Sequence, residues 1–400
     1  MVKKKTIVFI ANNNLGEGLS GGDRIFAELM KRWSKKVNII FVACEEAVRI
    51  AKRHGVGGIK IVQTDKCNQA KNLFTTGVMI RHVFGRIYKG IIAVNNCWSE
   101  LRKADFIYSV SDFYPDVLPV VWAKLRGLKA KWIAGFYLFA PNPFLIKFPY
   151  QGKYWMRGAF YWITQCFSYW IVKRFADVVF VTSEPDVEKF VMKKRGRNKI
   201  VVIRGGVDIK PSEKYLNSED EIPVEKRKYD ACFVGRFHPQ KGVLELIDIW
   251  KLACKRKPVA KLIIIGMGFL EDAIREKIKK LHLGNNIELL GFKDGEEKYE
   301  IFKQSKIVVH PATYDSGGMA ACEAMAWGLP GVSFDLEALK TYYPKGMIKV
   351  SCYDMQVFAN NITQLLEDDK LYKKVSKEAL DWARGWGWDK RAKTIYDCLM

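Results

Sequence analysis

Four times between residues 229 and 311 a short apolar run breaks into a turn containing glycine or proline and a helical pattern follows, a rhythm that leaves few folds open. The runs are 229–242 (YDACFVGRFHPQKG), 261–268 (KLIIIGMG), 286–292 (NIELLGF) and 306–311 (KIVVHP), the first leading into the helical stretch VLELIDIWKLA. Short buried strands alternating with helices build an α/β, doubly wound parallel sheet. Ligands of such sheets sit beyond the carboxyl ends of the strands. Gly235, Arg236, Gly266, Gly268, Gly291 and Asp315 all fall there.

The fourth run opens onto residues 311–330 (PATYDSGGMAACEAMAWGLP), where Glu323 is the only charged side chain between Ser316 and Phe334. Ser316, Gly317 and Gly318 read as a loop feeding a helix from about Met319, and Gly328 with Pro330 supplies the stop. A 3.6-residue period puts Met319, Cys322, Glu323 and Ala326 on one face of a helix otherwise rich in alanine, so the helix is expected to be buried all round. A buried carboxylate requires a partner, whether a protein cation, an N–H group or the hydroxyls of a ligand.

Asp315 lies at the loop before that helix, and Gly317 and Gly318 leave N–H groups facing the same corner, an arrangement suited to an anion. Arg236 and Lys241, just beyond the first strand, suit a phosphate. An anion held between two hydroxyl-seeking carboxylates suggests a sugar nucleotide. The plainer alternative is a helix-capping Asp315 and a Glu323 paired with an arginine. The Gly-x-Gly of residues 266–268 is by itself only a tight turn.

In their order, GRFHPQKG, IIGMG, NIELLGF and HPATYDSGGMAACEAMAWGLPGV resemble the nucleotide-binding half of the retaining family 4 glycosyltransferases of the GT-B fold (glycosyl transferases group 1). That family's signature is two acids separated by seven residues, kept here as Asp315 and Glu323. The resemblance implies that Glu323 holds the donor ribose, that Asp315 contacts the transferred sugar, and that Arg236 and Lys241 neutralise the diphosphate. It extends the donor-binding set to Gly22, Gly235, Gly266, Gly268, Gly291, Phe292, Gly317, Gly318 and Met319. Asp rather than Glu at 315, and Gly317 where Phe is frequent, depart from the commonest pattern and bear on the identity of the sugar.

The resemblance also implies two Rossmann-like domains facing across a cleft, with a C-terminal helix crossing back. The expected boundaries are 1–205 for the N-terminal acceptor and membrane-facing domain, 206–228 for a polar linker holding Pro211 and Pro223, 229–385 for the nucleotide-sugar domain, and 386–400 for the returning helix, where Trp382, Trp386 and Trp388 would pack on the N-terminal domain. The N-terminal half supports this, with a strand at 6–11, a glycine-rich loop at 12–22 (NNNLGEGLSGG), a helix at 23–36 and further strands at 37–43, 104–110, 131–136 and 176–182. Gly21 and Gly22 match the family's N-terminal loop; taken alone they are a turn capped by Asp23. Many relatives carry a histidine after the strand that here reads KWIAGF, and FYLFAPNPF has none. Asp112 is the nearest acid for an acceptor hydroxyl, with a turn-capping role as its alternative. Asp315, Arg236, Lys241 and Asp112 are therefore the candidate catalytic groups.

Four hundred residues suffice for two cores, and nine cysteines without a Cys-x-x-Cys pair point away from zinc and disulfides and toward a reducing cytoplasm. The basic start MVKKK precedes an apolar stretch too short for a signal peptide, and no segment is long enough to span a membrane. A formal charge of +23 calls for a polyanionic neighbour. Residues 142–175 mix aromatic and basic side chains, with a charge-free core at 158–172. This suits a helix lying among lipid headgroups, anchored by Trp155, Trp162, Tyr169 and Trp170 and flanked by Lys173 and Arg174. The stretch 74–92 repeats the mixture with Arg81, Arg86 and Lys89. A buried helix is the alternative for residues 142–175. Nucleic acid is a weaker explanation for the charge, because no nucleic-acid motif is present.

The function expected is metal-independent, cofactor-free transfer of a hexose, with retention, from a GDP- or UDP-linked sugar to a hydroxyl of a lipid-linked or glycan acceptor. It would take place on a peripheral enzyme at the cytoplasmic, inner face of the cell membrane, on an anionic surface. No Asp-x-Asp pair stands at a strand end, where a metal would need it. The competing reading is a non-catalytic sugar-nucleotide-binding or scaffold subunit.

Overall fold

The computed structural model describes residues 4–14, 20–65, 76–145 and 148–399. The chain divides into two compact units, the first made of Met1–Pro143, Met156–Gly205 and Asp389–Met400 and the second of Phe144–Trp155 and Gly206–Trp388.

The first unit is built on a seven-stranded parallel sheet of β1 (Thr6–Ala11), β2 (Asn38–Ala43), β3 (Lys60–Gln63), β4 (Phe106–Ser109), β5 (Lys131–Gly135), β6 (Val178–Val181) and β7 (Ile200–Val202). Its spatial order is β3-β2-β1-β4-β5-β6-β7. The chain runs outward from β1 in one direction and from β4 in the other, so the loops after β1 and β4 meet at a switch point. The strands read as continuous apolar runs because both faces are covered.

The second unit repeats the scheme with β8 (Tyr229–Val234), β9 (Leu262–Ile265), β10 (Ile287–Leu289), β11 (Ser305–His310), β12 (Gly331–Phe334) and β13 (Met347–Val350), in the order β10-β9-β8-β11-β12-β13 and parallel throughout. Alternate residues feed two cores. Phe233, Ile264 and Val309 pack with Trp250 and Phe358 on one face, and Cys232, Ile263 and Val308 pack with Phe302 and Trp327 on the other. The switch point lies between β8 and β11. Gly242 has φ 64°, and a Cβ there would stand 1.9 Å from the carbonyl oxygen of Pro311. Only glycine permits the turn after β8 to press so closely on the end of β11.

Three segments differ from the sequence expectation. Residues 144–155 lie in the second unit, where Tyr150 meets the His238 ring edge-on at 5.2 Å and Tyr154 packs on Phe269 at 5.2 Å. Residues 206–228 are not a free linker. They hold the helix Lys210–Leu216, which buries Ser212 and Tyr215, and Arg227 is buried with its guanidinium on the carbonyls of Ile222 (3.2 Å) and Ser305 (3.1 Å). Polar composition concealed this because, Arg227 apart, the charged side chains of the segment sit at or near its surface. The three tryptophans also stay with the second unit. Trp382 Nε1 donates to the Tyr342 carbonyl (3.0 Å), Trp386 packs on the Tyr342 ring at 4.5 Å, and the Trp388 ring lies against Gly206. Residues beyond them join the first unit, where Trp33 Nε1 donates to the carbonyl of Ala392 (3.0 Å) and Ile395 is buried.

Candidate functional site at the switch point of the second sheet

The turn after β8 and the loop after β11 are tied together by backbone. The carbonyl of Gln240 accepts the N–H groups of Thr313 (3.0 Å) and Tyr314 (3.2 Å). Gly266 enters from the neighbouring strand, where a Cβ would lie 1.9 Å from the Gly235 carbonyl oxygen, and its N–H donates to the carbonyl of Gly291 at 2.9 Å. Gly268 is just as confined, 2.5 Å from the Phe237 carbonyl oxygen on the same construction. Three of the strand-end turns read from the sequence thus converge on one corner, with Phe292 half-buried beside Gly291.

Four side chains give the corner its charge. Asp315 Oδ2 pairs with Lys241 Nζ at 2.5 Å and faces His310 Nε2 at 3.5 Å, while Oδ1 accepts from the N–H groups of Ser316 (2.9 Å) and Gly317 (3.4 Å). Burial works to raise the Asp315 carboxyl, and Lys241 with His310 more than reverses it, holding the group well below the usual carboxylate range. Arg236 is exposed at the rim and forms no ion pair among the described residues. His238, between Tyr150 and Phe269, is pushed down to about 3, first by burial and then by Arg236 and Lys241. It is therefore neutral.

Eight residues beyond Asp315, Glu323 has the partner its burial requires. Oε2 accepts from Lys298 Nζ at 2.9 Å, and the same ammonium reaches Asp294 at 2.8 Å. The cation is a lysine from the helix Glu296–Lys303 rather than an arginine, and nothing in the local spacing singles Lys298 out. The helix carrying Glu323, Met319–Met325, is short, and the Gly317 N–H is already taken by Asp315. That corrects the expectation of a bare N–H group at Gly317. Gly317 and Gly318 instead make room for the rings of Tyr342 and Tyr343, which a Cβ would meet at 2.9 and 2.1 Å.

Gly22 and Asp112 lie in the first unit. Gly22 stands in the first turn of the helix Gly21–Trp33, where a Cβ would come within 3.0 Å of the Tyr137 ring, and Asp23 completes a capping box with Ser20. Residues 15–19 of that glycine-rich loop lie outside the described residues. Asp112 is not the N-cap of the helix Tyr114–Leu125, which is Phe113. Asp112 is buried against Gln165 Nε2 at 2.9 Å, and burial pushes its carboxyl up to about 6. The acid that organises this switch point is Asp116, which accepts the N–H groups of Asn12 (2.5 Å) and Asn13 (3.1 Å). Buried Arg86 grips the same loop through the carbonyls of Asn12 and Asn14, both at 2.9 Å, and is balanced by Glu46 at 2.7 Å. Sequence reasoning passed over Asp116 and grouped Arg86 with the cations of 74–92, a reading its burial corrects; their partners are many tens of residues away and no local motif marks them.

Residues 217–382 match the model of the family described as Glycosyl transferases group 1. That match spans 166 of the chain's 400 residues. The chain is 25% identical over 211 residues to the poly(glycerol-phosphate) alpha-glucosyltransferase of Bacillus subtilis (strain 168), a match covering 52% of this chain and 30% of that protein. Nearly the whole chain superposes on solved structures. Anabaena Alr3699/HepE in complex with UDP and glucose gives a TM-score of 0.70 at 15% identity, with 99% of each chain covered. Sucrose-phosphate synthase from Thermosynechococcus elongatus gives 0.74 at 16%, covering 99% of this chain and 98% of that one. The fold of the chain is GT-B.

The neutrality of His238 has a measurable cost in acid. An unfolded histidine titrates near 6.5, so below that pH the unfolded chain takes up a proton that the folded site refuses until about 3. Stability present above pH 6.5 is thus lost as pH falls. His238→Phe keeps a ring between Tyr150 and Phe269 and removes this dependence. In urea denaturation, wild type should lose ~1–2 kcal/mol more than His238→Phe between pH 7 and 5, from ~1.4 kcal/mol per pH unit for one proton. Equal losses would contradict the assignment.

Proposed function

We propose that the protein is a retaining, family 4-like hexosyltransferase that takes a hexose from a nucleoside diphosphate sugar, UDP- or GDP-linked, and delivers it to a hydroxyl of a lipid-linked or glycan acceptor at the cytoplasmic face of a membrane. The observation that carries this reading is the convergence of exposed Arg236, Lys241 and the acids Asp315 and Glu323 on the switch point of the second sheet. As the bond from the anomeric carbon to the diphosphate breaks, negative charge grows on the leaving oxygen, and the two cations there favour the transition state over the ground state. They supply the stabilisation that a metal ion would otherwise give. The new bond forms from the acceptor oxygen on the same face of the sugar, and the acceptor proton passes to the departing phosphate oxygen. Glu323 is the group for the ribose hydroxyls. The Bacillus subtilis relative is named as an alpha-glucosyltransferase and the Anabaena structure holds UDP and glucose, which puts UDP-glucose first among donors to try.

The membrane part of the proposal rests on the first unit. The helix Trp155–Phe175 turns its polar Gln165 and Ser168 inward and leaves Met156, Phe160, Ile163, Phe167 and Trp170 outward at alternating four- and three-residue steps. Met156 is 77% exposed, Ile163 61% and Trp170 57%. An inverted helix of this kind is at odds with a plain core role. Tyr169 is a correction to the expected anchors, since it packs on Phe136, Phe139 and Phe190 and donates to the Lys189 carbonyl at 2.6 Å. Trp155 is exposed, Trp162 half-buried, and Lys173 and Arg174 close the helix. The helix Tyr114–Leu125 joins this surface to Thr76–Asn96, which exposes Phe84, Tyr88 and Ile92 beside Arg81 and Lys89. Among the described residues no helix is long and apolar enough to cross a membrane. Apolar side chains edged by cations suit an anionic lipid surface.

Two measurements test the reading. A ligand that binds only the folded protein raises its melting temperature, by ~2.7 kcal/mol of stabilisation at a hundredfold excess over Kd. Among UDP, GDP, ADP and their hexose conjugates, one nucleotide series should stabilise the protein and Arg236→Ala should abolish the shift; no response to any would sink the donor assignment. Vesicles of phosphatidylglycerol and phosphatidylcholine should sediment the wild type, and the double variant Phe167→Ser, Trp170→Ser should bind at least about tenfold more weakly, two exposed aromatics contributing ~1–2 kcal/mol or more. Unchanged sedimentation would remove the membrane role of this helix.

A further inference from the structure

The pairing of Asp315 points to a role other than contact with the transferred sugar. A carboxylate offers about four acceptor positions. Around Asp315 four donors already stand within reach: the N–H groups of Ser316 and Gly317 on Oδ1, and Lys241 Nζ and His310 Nε2 on Oδ2. Its side chain is 7% exposed, whereas that of Lys241 is 21% exposed. The shorter aspartate is drawn back into the protein and the lysine is the group presented outward.

His310 completes the arrangement. It is buried at the end of β11, with Nδ1 2.5 Å from the Tyr343 hydroxyl. Facing a carboxylate, Nε2 carries the proton, which leaves Nδ1 to accept from the tyrosine. Burial favours this neutral form. The Tyr343 ring is itself pinned, with Gly318 beneath it and Lys349 Nζ 4.0 Å from its centroid.

We infer that Asp315 is a positioning residue, which holds the Lys241 ammonium for the donor diphosphate and is itself held by the Tyr343–His310 pair. The lysine has three N–H donors, so the one engaged by Asp315 leaves two for phosphate oxygens. The inference rests on the donor reading above and changes how this acid serves it, with the sugar hydroxyls left to other groups.

The test separates diphosphate from sugar. Asp315→Asn keeps the shape and removes the charge. Affinities are measured by calorimetry for whichever of UDP, GDP or ADP the wild type binds, and for the matching nucleoside monophosphate and nucleotide hexose. The diphosphate and the nucleotide hexose should weaken by one common factor of about five to ten, the monophosphate should be unaffected, and the loss should vanish when Lys241→Ala is already present. Tyr343→Phe, which keeps the ring, should show the same pattern at about two- to fivefold and guards against a misfolded asparagine variant. A change confined to the nucleotide hexose, a loss that persists without Lys241, no change, or tighter diphosphate binding would overturn the inference. A wild type that binds none of the three nucleotides would instead overturn the donor reading itself.

Discussion

The backbone contact between the turn after β8 and the loop after β11 is the constraint on which the rest of the second unit depends. Two N–H groups, of Thr313 and Tyr314, share the Gln240 carbonyl, and the absence of a Cβ at Gly242 lets Pro311 close the gap. Lys241 and Asp315 lie 74 positions apart in the chain and meet only because these loops touch. Once they meet, neither is easily lost. Removing one member of a buried ion pair leaves an uncompensated charge, at a cost of ~3–5 kcal/mol. The same reasoning applies to Glu323 and Lys298, so one acid–lysine pair holds the loop before the helix Met319–Met325 and another holds the helix itself. Rigid placement of charge before the ligand arrives is what electrostatic catalysis of phosphate departure requires.

The first unit uses the same topology for a different end. Its switch point is braced from within, by Asp116 on the N–H groups of Asn12 and Asn13 and by Arg86 on the carbonyls of Asn12 and Asn14. An acid satisfying donors and a guanidinium satisfying acceptors hold a polar loop that carries little apolar surface of its own. Outward, the same unit turns aromatic side chains to solvent along Trp155–Phe175 while burying glutamine and serine beneath them. The second of these choices is the one on which the proposed membrane role rests.

Much of this was legible in the chain because the signals were local. The strand rhythm of residues 229–311 gave the parallel sheet, the lone charge of Glu323 announced a buried partner, and the glycines at strand ends marked the corner where Gly235, Gly266 and Gly291 now meet. What stayed hidden depended on distant partners. Nothing near Lys298 or Asp116 in sequence says that one will meet Glu323 and the other Asn12. Composition also misled. The polar stretch 206–228 reads as a linker until Tyr215 and Arg227 are seen to be buried, and Tyr169 reads as an anchor until its ring is found among Phe136, Phe139 and Phe190. Aromatic content alone does not distinguish the inner face of a helix from the outer.

The central claim is that the donor diphosphate lies at the switch point of the second sheet between Arg236 and Lys241. A crystal structure of the protein soaked with UDP-glucose, or with whichever nucleotide sugar stabilises it, tests this most directly. The account requires phosphate oxygens within ~3 Å of the Arg236 guanidinium and of Lys241 Nζ, with the ribose against Glu323. A nucleotide bound away from that corner, or phosphates held there by neither cation, would contradict it.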